Sequence, residues 1–267
     1  MADPRGGFYG RVLADLLDGG LIRRDMSVLV AAGGQADRKV LLAAEFDDVT
    51  ISNLDEGEAG AGLEPYGWRY EDAESLSLPD ESVDVAVVSA GLHHCRSPHR
   101  ALLELYRVAR VAVVALESRD SALLRLGARL GAVDDYELGA VAAHGLAAGG
   151  VANTSTPNYV YRWTEREVAK TVASFAPHAR HRLRFFREFE LPDVLLDSVR
   201  GPRGLALRAL RPAVGLVTRA LPSQANLFAF VIEKPNLPRD LQPWLRLDDG
   251  RPVPDERVVG ARYRIER

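Results

Sequence analysis

The sequence predicts an α/β protein in which helices cover both faces of a parallel sheet. Short apolar runs alternate with segments of helical spacing through the first 120 residues, which is typical of βαβ units. The runs at 27–32 and 83–88 are almost continuously apolar, and this favours strands that are buried on both sides. The first run ends at Gly33 and Gly34, before a segment that can be helical, as expected where a parallel strand leads into a helix.

The first half of the chain contains the predicted centre of the sheet. Residues 8–18 have helical spacing, and Gly19 and Gly20 supply a stop signal. The remaining expected elements are strands at 27–32, 49–52, 68–71, 83–88 and 111–116, and helices at 36–45 and 98–108.

The second half is predicted to be less regular. Its expected elements are helices at 120–131 and 135–147, a loop at 149–163, strands at 182–191 and 227–233, and a helical pattern at 193–221. Thr164 followed by Glu167 predicts a capping box at the start of a helix that runs to about Ala176. From Pro235 onward, prolines and charges are frequent, so we expect this tail to wrap the surface or to be mobile.

Composition narrows the classes of function. The 267 residues carry a net charge of −3, which gives no electrostatic footprint for nucleic acid. Cys95 is the single cysteine, so the chain cannot form an internal disulfide and a reducing compartment is expected. The sequence has neither a signal-peptide pattern nor an apolar run long enough to span a bilayer. We therefore expect a cytoplasmic protein with no nucleic-acid or membrane partner.

The most specific motif lies in residues 72–94, which read DAESLSLPDESVDVAVVSAGLHH. It resembles the class I methyltransferases that use S-adenosylmethionine (AdoMet), in particular the small-molecule branch called type 11. The family pattern is D-A-x-x-L-P-F-x-D-x-S-F-D-x-V, followed by an apolar strand and Leu-His-His. Residues 161–165 and 228–235 are also similar to the closing half of the family, so the resemblance covers residues 25–235.

The resemblance implies a Rossmann-like sheet of seven strands, mostly parallel with the last strand antiparallel. Helices would cover both faces, and helical or loop insertions would lie on the acceptor side. The implied domain spans residues 1–235, with insertions at 120–163 and 193–222, and a C-terminal extension follows at 236–267. The insertion at 193–222 is a candidate lid or oligomer contact, and a homodimer is left open.

The implied cofactor site lies where the loops after the first four strands converge. After the first strand the family has an acidic residue and G-x-G-x-G, whose glycines let the backbone approach the ligand. Here the aligned stretch reads VAAGGQA. Val30 replaces the acidic residue, and Ala32 and Ala36 replace the first and third glycines. Gly34 keeps its place, with Gly33 beside it.

The other three loops supply the polar contacts that the family uses. Asn53 replaces the carboxylate that holds the ribose hydroxyls, and Asp55 either supplies that carboxylate or only caps the turn. Asp72 is implied to accept from the adenine amino group, unless it is only a helix cap. The full set implied for AdoMet is Ala32, Gly33, Gly34, Asn53, Leu54, Asp55, Asp72, Ala73, Glu74, Ala90 and Gly91.

The chemistry expected is O-methylation, which also yields S-adenosylhomocysteine. A hydroxyl nucleophile benefits from a general base, and histidine suits because its unperturbed pKa is near the working pH. Similar sugar methyltransferases place a histidine pair and a carboxylate here, which implies His93 or His94 as base and Glu117 or Asp120 as its partner. The alternative is that both histidines only pack beneath the cofactor. No metal is expected.

The long segment before the capped helix is the candidate acceptor site, because long loops without regular structure are usually functional. Its polar and aromatic residues would suit a sugar, glycoside or polyketide-like acceptor, although a purely structural cap is an equal alternative. The candidate substrate-binding residues are Asp135, His144, Asn158, Tyr159 and Tyr161.

Rival functions are less well supported. An NAD(P)-dependent reductase would need G-x-G-x-x-G or a Tyr-x-x-x-Lys pair, but Glu165 stands four residues after Tyr161. A methylase of RNA or protein would be expected to show a base-binding motif or a basic surplus. A non-catalytic partner or binding protein with the AdoMet fold is favoured by the altered glycine loop, whereas Asp72 and the histidine pair favour an enzyme.

Overall fold

The computed structural model describes residues 7–57, 62–131, 133–190, 216 and 220–264. Seven of its strands form one sheet in the order β3-β2-β1-β4-β5-β7-β6. They are β1 (Ser27–Ala31), β2 (Asp48–Asn53), β3 (Gly67–Tyr70), β4 (Val83–Ser89), β5 (Ala109–Ser118), β6 (Arg182–Glu188) and β7 (Leu227–Glu233).

The pairing of these strands confirms the predicted fold class. β1 pairs in parallel with both β2 and β4, so that Val30 lies opposite Ile51 on one side and Val87 on the other. β7 is antiparallel to both of its neighbours, β5 and β6. The winding direction changes between β1 and β4, and such a change opens a crevice at the carboxyl ends of the strands.

The helices that the structure describes are α1 (Phe8–Asp18), α2 (Gln35–Ala43), α3 (Pro98–Val108), α4 (Ala122–Arg129), α5 (Leu138–Ala143), α6 (Glu165–Phe175) and the short C-terminal α7 (Glu256–Gly260). Four of them cover the two faces of the sheet, α3 and α6 on one face and α1 and α2 on the other. Successive strand residues point to opposite faces, and β1 shows the consequence. Leu29 packs with α3 and α6 in one core cluster, while Val28 and Val30 pack with α1 and α2 in the other.

Local signals explain where two of the helices begin. Pro98 opens α3, and the Ser97 hydroxyl accepts a hydrogen bond from the Arg100 amide. α6 begins with the predicted capping box: the Thr164 hydroxyl accepts from the Glu167 amide, and the Glu167 carboxylate accepts from the Thr164 amide. Such caps satisfy amides that have no partner within the helix.

The helix predicted at 135–147 is wrong in extent, since α5 spans only Leu138–Ala143. Its predicted start fails because Tyr136 forms a β-bridge with Tyr159, which holds the backbone extended. Its predicted end fails because Gly145 and Leu146 have φ of 62° and 64°, outside the right-handed helical region. The pattern at 193–221 lies outside the described residues except for 216, 220 and 221.

The C-terminal extension follows the start of β6 and then forms a hairpin. Leu241 bridges Ala179, and the Arg180 amide donates to the Asp240 carbonyl at 2.8 Å. β8 (Leu245–Asp248) and β9 (Arg251–Pro254) pair in antiparallel fashion. Their two-residue connection has positive φ at both positions, as expected for a tight hairpin turn.

Within the described residues, no helix has the length and apolar character needed to cross a bilayer.

Candidate active site

The loops after β1, β2, β3 and β4 line one cleft of about 370 Å³ at the carboxyl edge of the sheet. This volume is in the range of small-molecule sites. The structure brings together every residue that the sequence assigned to the cofactor: Ala32, Gly33, Gly34, Asn53, Leu54, Asp55, Asp72, Ala73, Glu74, Ala90 and Gly91 all line it. The opposite wall comes from α5 and the chain that follows it, including His144 and Asn153.

The loop after β1 is tight. A Cβ on Gly33 would lie 2.5 Å from Cγ1 of Val30, and a Cβ on Gly91 would lie 2.8 Å from Cβ of Ala32. Both positions therefore require glycine, because Cβ atoms do not approach so closely. Ala32 itself has φ of 50°, which is unfavourable for a residue with a side chain. The loop thus holds a residue with a side chain in the left-handed region, at the position where the resemblance implies glycine.

The loop after β2 uses Asn53 as an internal brace. Its Nδ2 donates to the Gly33 carbonyl at 2.9 Å, and its Oδ1 accepts from the Asp55 amide at 3.0 Å. The Asn53 amide therefore holds the first two loops together. Asp55 accepts from the Gly57 amide through Oδ1, so it caps a turn and also presents a carboxylate to the cleft.

The carboxylates after β3 differ in how they are engaged. Asp72 accepts from the Glu74 amide through Oδ1 and lines the cleft. Glu74 accepts from the amides of Arg96 and Ser97 at 2.8 and 2.9 Å. The Glu74 carboxylate thus supports the entry into α3, which leaves Asp72 as the carboxylate better placed for a ligand.

The histidine pair lies in a short 3₁₀ turn, Leu92–His94, between β4 and α3. His93 is 7% exposed, and its Nδ1 lies 2.8 Å from Oε2 of Glu117 at the end of β5. The other oxygen of Glu117 accepts from the Leu92 amide at 2.7 Å. The Glu117 carboxylate therefore fixes both the turn and the His93 ring. His94 lies beside His93, with ring centroids 4.7 Å apart, and lines the cleft.

Sequence reasoning missed Glu137, which completes this group. Its Oε2 lies 3.3 Å from Nε2 of His93 and 3.3 Å from Nε2 of His94. Asn158 donates to the same oxygen at 3.2 Å. Glu137 falls in the first turn of the helix predicted at 135–147, and its only sequence signal is its place after the acidic pair Asp134 and Asp135.

The surroundings move the pKa values of the two histidines in opposite directions. Burial alone would lower the pKa of His93, but its polar contacts with Glu117 and Glu137 and their charges raise it to about 10. Burial lowers the pKa of His94, and the nearby charge of His93 lowers it further. The contact with His93 lowers the pKa of Glu137 to about 2, against the effect of burial. These directions favour a protonated His93, which contacts Glu117 and Glu137, and a neutral His94 at neutral pH.

The structure does not place Asp120 with the histidines. Among the described contacts, its carboxylate pairs with Arg125 at 2.8 Å and its amide donates to the Trp163 carbonyl. The physical reason is that the chain has turned toward α4 at this point, where Arg125 pairs with the Asp120 carboxylate.

The predicted acceptor residues are divided among several places. His144 lines the cleft, with Nδ1 2.8 Å from the Ala140 carbonyl, and Asn158 joins the histidine group through Glu137. The other three are engaged away from the cleft lining: Asp135 pairs with Arg162, Tyr159 packs edge-on against Tyr136, and Tyr161 donates to Glu167.

The ligand atoms of His93, His94 and Glu137 lie within 4.8 Å of one another, a spacing that could hold a cation. The charge pairing between His93 and the carboxylates already explains why these groups lie together.

Part of the chain that forms this site is similar to a known family. Residues 31–114, from the end of β1 into β5, match the type 11 family model described as "Methyltransferase domain". No curated protein sequence matches the chain.

Solved structures share the fold. The YcgJ protein from Bacillus subtilis is 16% identical, with a TM-score of 0.51 over 85% of this chain and 99% of that one. A candidate methyltransferase from Bacillus halodurans C-125 is 15% identical, with a TM-score of 0.52 over 85% and 100%. A candidate methyltransferase from an antibiotic biosynthesis pathway of Anabaena variabilis is 14% identical, with a TM-score of 0.51 over 87% and 100%. At these identities the likeness concerns the fold.

The matched segment contains the cleft-forming loops from Ala32 to Gly91, and the sheet has the strand order and antiparallel β7 expected for the family. Residues 31–114 are therefore similar to the methyltransferase domain family, and the sheet around them has the methyltransferase fold.

Proposed function

We propose that the chain methylates a hydroxyl group of a small molecule, such as a sugar, a glycoside or a polyketide-like natural product. The observation that supports this most strongly is the place of His94 on the cleft wall, beside His93, whose ring Glu117 holds in place at 2.8 Å. A neutral amine attacks through its lone pair and can lose its proton afterwards, whereas a hydroxyl benefits from a base that takes its proton as it attacks.

The cofactor is proposed to lie along the loops in the order of the strands. Asp55 is proposed to hold the ribose hydroxyls, since the Asn53 amide is already bonded to the protein. Asp72 is proposed to accept from the adenine amino group, with the Ala73 backbone against the ring. Ala90 and Gly91 would then lie at the methionine end, next to His94.

The proposed reaction is a direct transfer of the methyl group from sulfur to oxygen. The acceptor oxygen attacks the AdoMet methyl group, the bond between sulfur and methyl breaks, and its electron pair remains on sulfur in S-adenosylhomocysteine. The hydroxyl proton passes to a ring nitrogen of His94. A sulfonium methyl needs little activation, so alignment of the two reactants contributes most of the acceleration.

A reducing, cytoplasmic setting is proposed as well. Cys95 is the single cysteine of the chain, and it is half-buried and unpaired.

The experiment is a screen of hydroxylated acceptors with AdoMet that carries an isotopic label on its methyl group. Sugars, glycosides and polyketide-like phenols form one panel, and matched amines form the second. The proposal expects label on oxygen in a member of the first panel. Transfer only to nitrogen or carbon acceptors would contradict it.

A non-catalytic binding protein remains the second candidate, because Ala32 retains an unfavourable backbone conformation where the family has glycine. In that case AdoMet would bind, and no member of either panel would be labelled.

A further inference from the structure

We propose that Glu137 is a positioning residue of the methyl-transfer site, and that it aligns the two histidines only when the segment that follows it covers the cofactor cleft. This covering segment comprises residues 138–153. The inference rests on the proposed function, since it assigns a partner to the same histidine pair.

Among the residues that the structure describes, Glu137 is the only one whose carboxylate contacts the rings of both His93 and His94. Its Oε2 is 3.3 Å from each Nε2 atom, and Asn158 holds that oxygen from the other side at 3.2 Å. Glu117, in contrast, contacts one of the two rings, that of His93, at 2.8 Å. Charge-assisted N–H···O bonds are usually about 2.7–2.9 Å long, so the Glu137 contacts are the looser ones and depend on where its own segment lies.

The covering segment reaches across the cleft from the histidines to the loop after β2. Six of its residues line the cleft: Ala140, His144, Gly149, Gly150, Ala152 and Asn153. At its far end, Nδ2 of Asn153 lies 3.4 Å from the Leu54 carbonyl. The backbone of Gly150 also contacts His94. A ligand that fills the cleft would therefore touch this segment, and the segment would in turn determine where Glu137 lies.

The covering segment is held mainly by polar contacts. Within it, Val141 and Gly150 are the buried residues, while 142–147 are exposed. A segment with few buried apolar contacts opens at a low cost in free energy. Its path includes left-handed residues, among them Gly149 with φ of 86° and Asn153 with φ of 55°. The low burial and the irregular backbone of the covering segment therefore suit a segment that opens away from the cleft and closes over it again.

The position of Glu137 has an electrostatic consequence for both rings. Its charge helps to raise the pKa of His93, and it partly opposes the lowering of the pKa of His94. When the covering segment is away, His94 would lose this support and become a weaker base. Closure would thus raise the pKa of His94, and with it the strength of His94 as a base, in the same state that excludes water from the methyl group.

The alternative is that Glu137 only holds the covering segment against the sheet. That role would change thermal stability without changing the titration of His94. The two roles are separated by the variants Glu137→Gln and Glu137→Asp, with Asp134→Asn as the control, because Asp134 is an exposed acidic residue three positions earlier.

The first readout needs no acceptor. Histidine side-chain NMR titrations and hydrogen exchange of residues 138–153 are measured with S-adenosylhomocysteine bound. In Glu137→Gln, we expect the titration of His94 to move to lower pH and the exchange of 138–153 to become faster. Glu137→Asp should restore part of both effects, and Asp134→Asn should resemble the wild type. Unchanged titrations in Glu137→Gln would overturn the proposal, even if the protein is less stable.

The second readout uses an acceptor from the screen. Glu137→Gln should lower kcat by about 10- to 100-fold, with a smaller change in KM. In the pH profile of kcat, the fall at acidic pH should occur at a lower pH than in the wild type. If the wild type labels no acceptor, the proposed function fails, whereas the NMR arm still decides the role of Glu137. A chelator should leave the wild type unchanged. A requirement for an added divalent cation would overturn the proposal, because the three side chains would then be metal ligands.

Discussion

At the scale of single residues, His93 and His94 are neighbours in the chain, yet their pKa values move in opposite directions. The difference comes from partners that the fold supplies: Glu117 lies 2.8 Å from His93, while His94 faces the cleft. The sequence showed the pair and its carboxylate after the fifth strand, and so it predicted the group. It could not show which histidine is neutral, because Glu137 arrives from a distant segment through tertiary packing.

The first prediction concerns His94 as the base. Replacing it with Asn should lower kcat by about 10²- to 10⁴-fold, the usual contribution of general base catalysis, with little change in the affinity for S-adenosylhomocysteine. The measurement is steady-state turnover together with calorimetric titration. His178→Asn is the control, because His178 lies next to the start of β6. The cleft, in contrast, lies where the parallel strands end. Equal turnover in wild type and His94→Asn would exclude the role.

The second prediction concerns His93 and the pH dependence of stability. The pKa of His93 is raised in the folded protein to about 10 from its ordinary value of 6.5, so the folded state binds the proton more tightly than the unfolded state. The resulting stabilisation is fully present below pH 6.5 and is lost as pH rises through about 10. Urea unfolding at pH 6, 8 and 10 should show a steeper loss for wild type than for His93→Asn. Parallel curves would contradict the assignment of His93 as a buried cation.

At the scale of elements, the strands and their loops were predictable because their signals are local. Continuous apolar runs, the Gly33–Gly34 break and the Thr164–Glu167 capping box each act within a few residues. The extent of α5 was not predictable in the same way. It depends on the bridge between Tyr136 and Tyr159, two residues far apart in sequence.

The third prediction concerns the altered glycine loop. Ala32 has φ of 50°, and a residue with a Cβ loses about 1–2 kcal/mol in this region. Ala32→Gly should therefore raise the free energy of unfolding by up to about 1 kcal/mol, after the entropy cost of glycine is subtracted. Ala36→Gly is the matched control inside α2, and it should lower stability by about 0.5–1 kcal/mol. If both variants are destabilised equally, the strain at Ala32 is not real.

At the scale of the whole molecule, the site depends on the topology of the sheet. The cleft residues from four separate loops meet only because the winding direction changes between β1 and β4. The resemblance in residues 72–94 was enough to predict this meeting point, since the fold fixes where the strands end. The opposite wall, formed by residues 140–153, belongs to an insertion, and the resemblance carried no geometry for it.

Calorimetric titration of the purified protein measures whether this cleft binds AdoMet, on which every proposed role of its residues depends. AdoMet and S-adenosylhomocysteine are titrated in turn, with NADH as the control ligand and Asp72→Ala as the control variant. We expect one site per chain with a micromolar Kd for both sulfur compounds, weaker binding in Asp72→Ala, and no binding of NADH. Absence of binding by either sulfur compound, or tight binding of NADH, would contradict it.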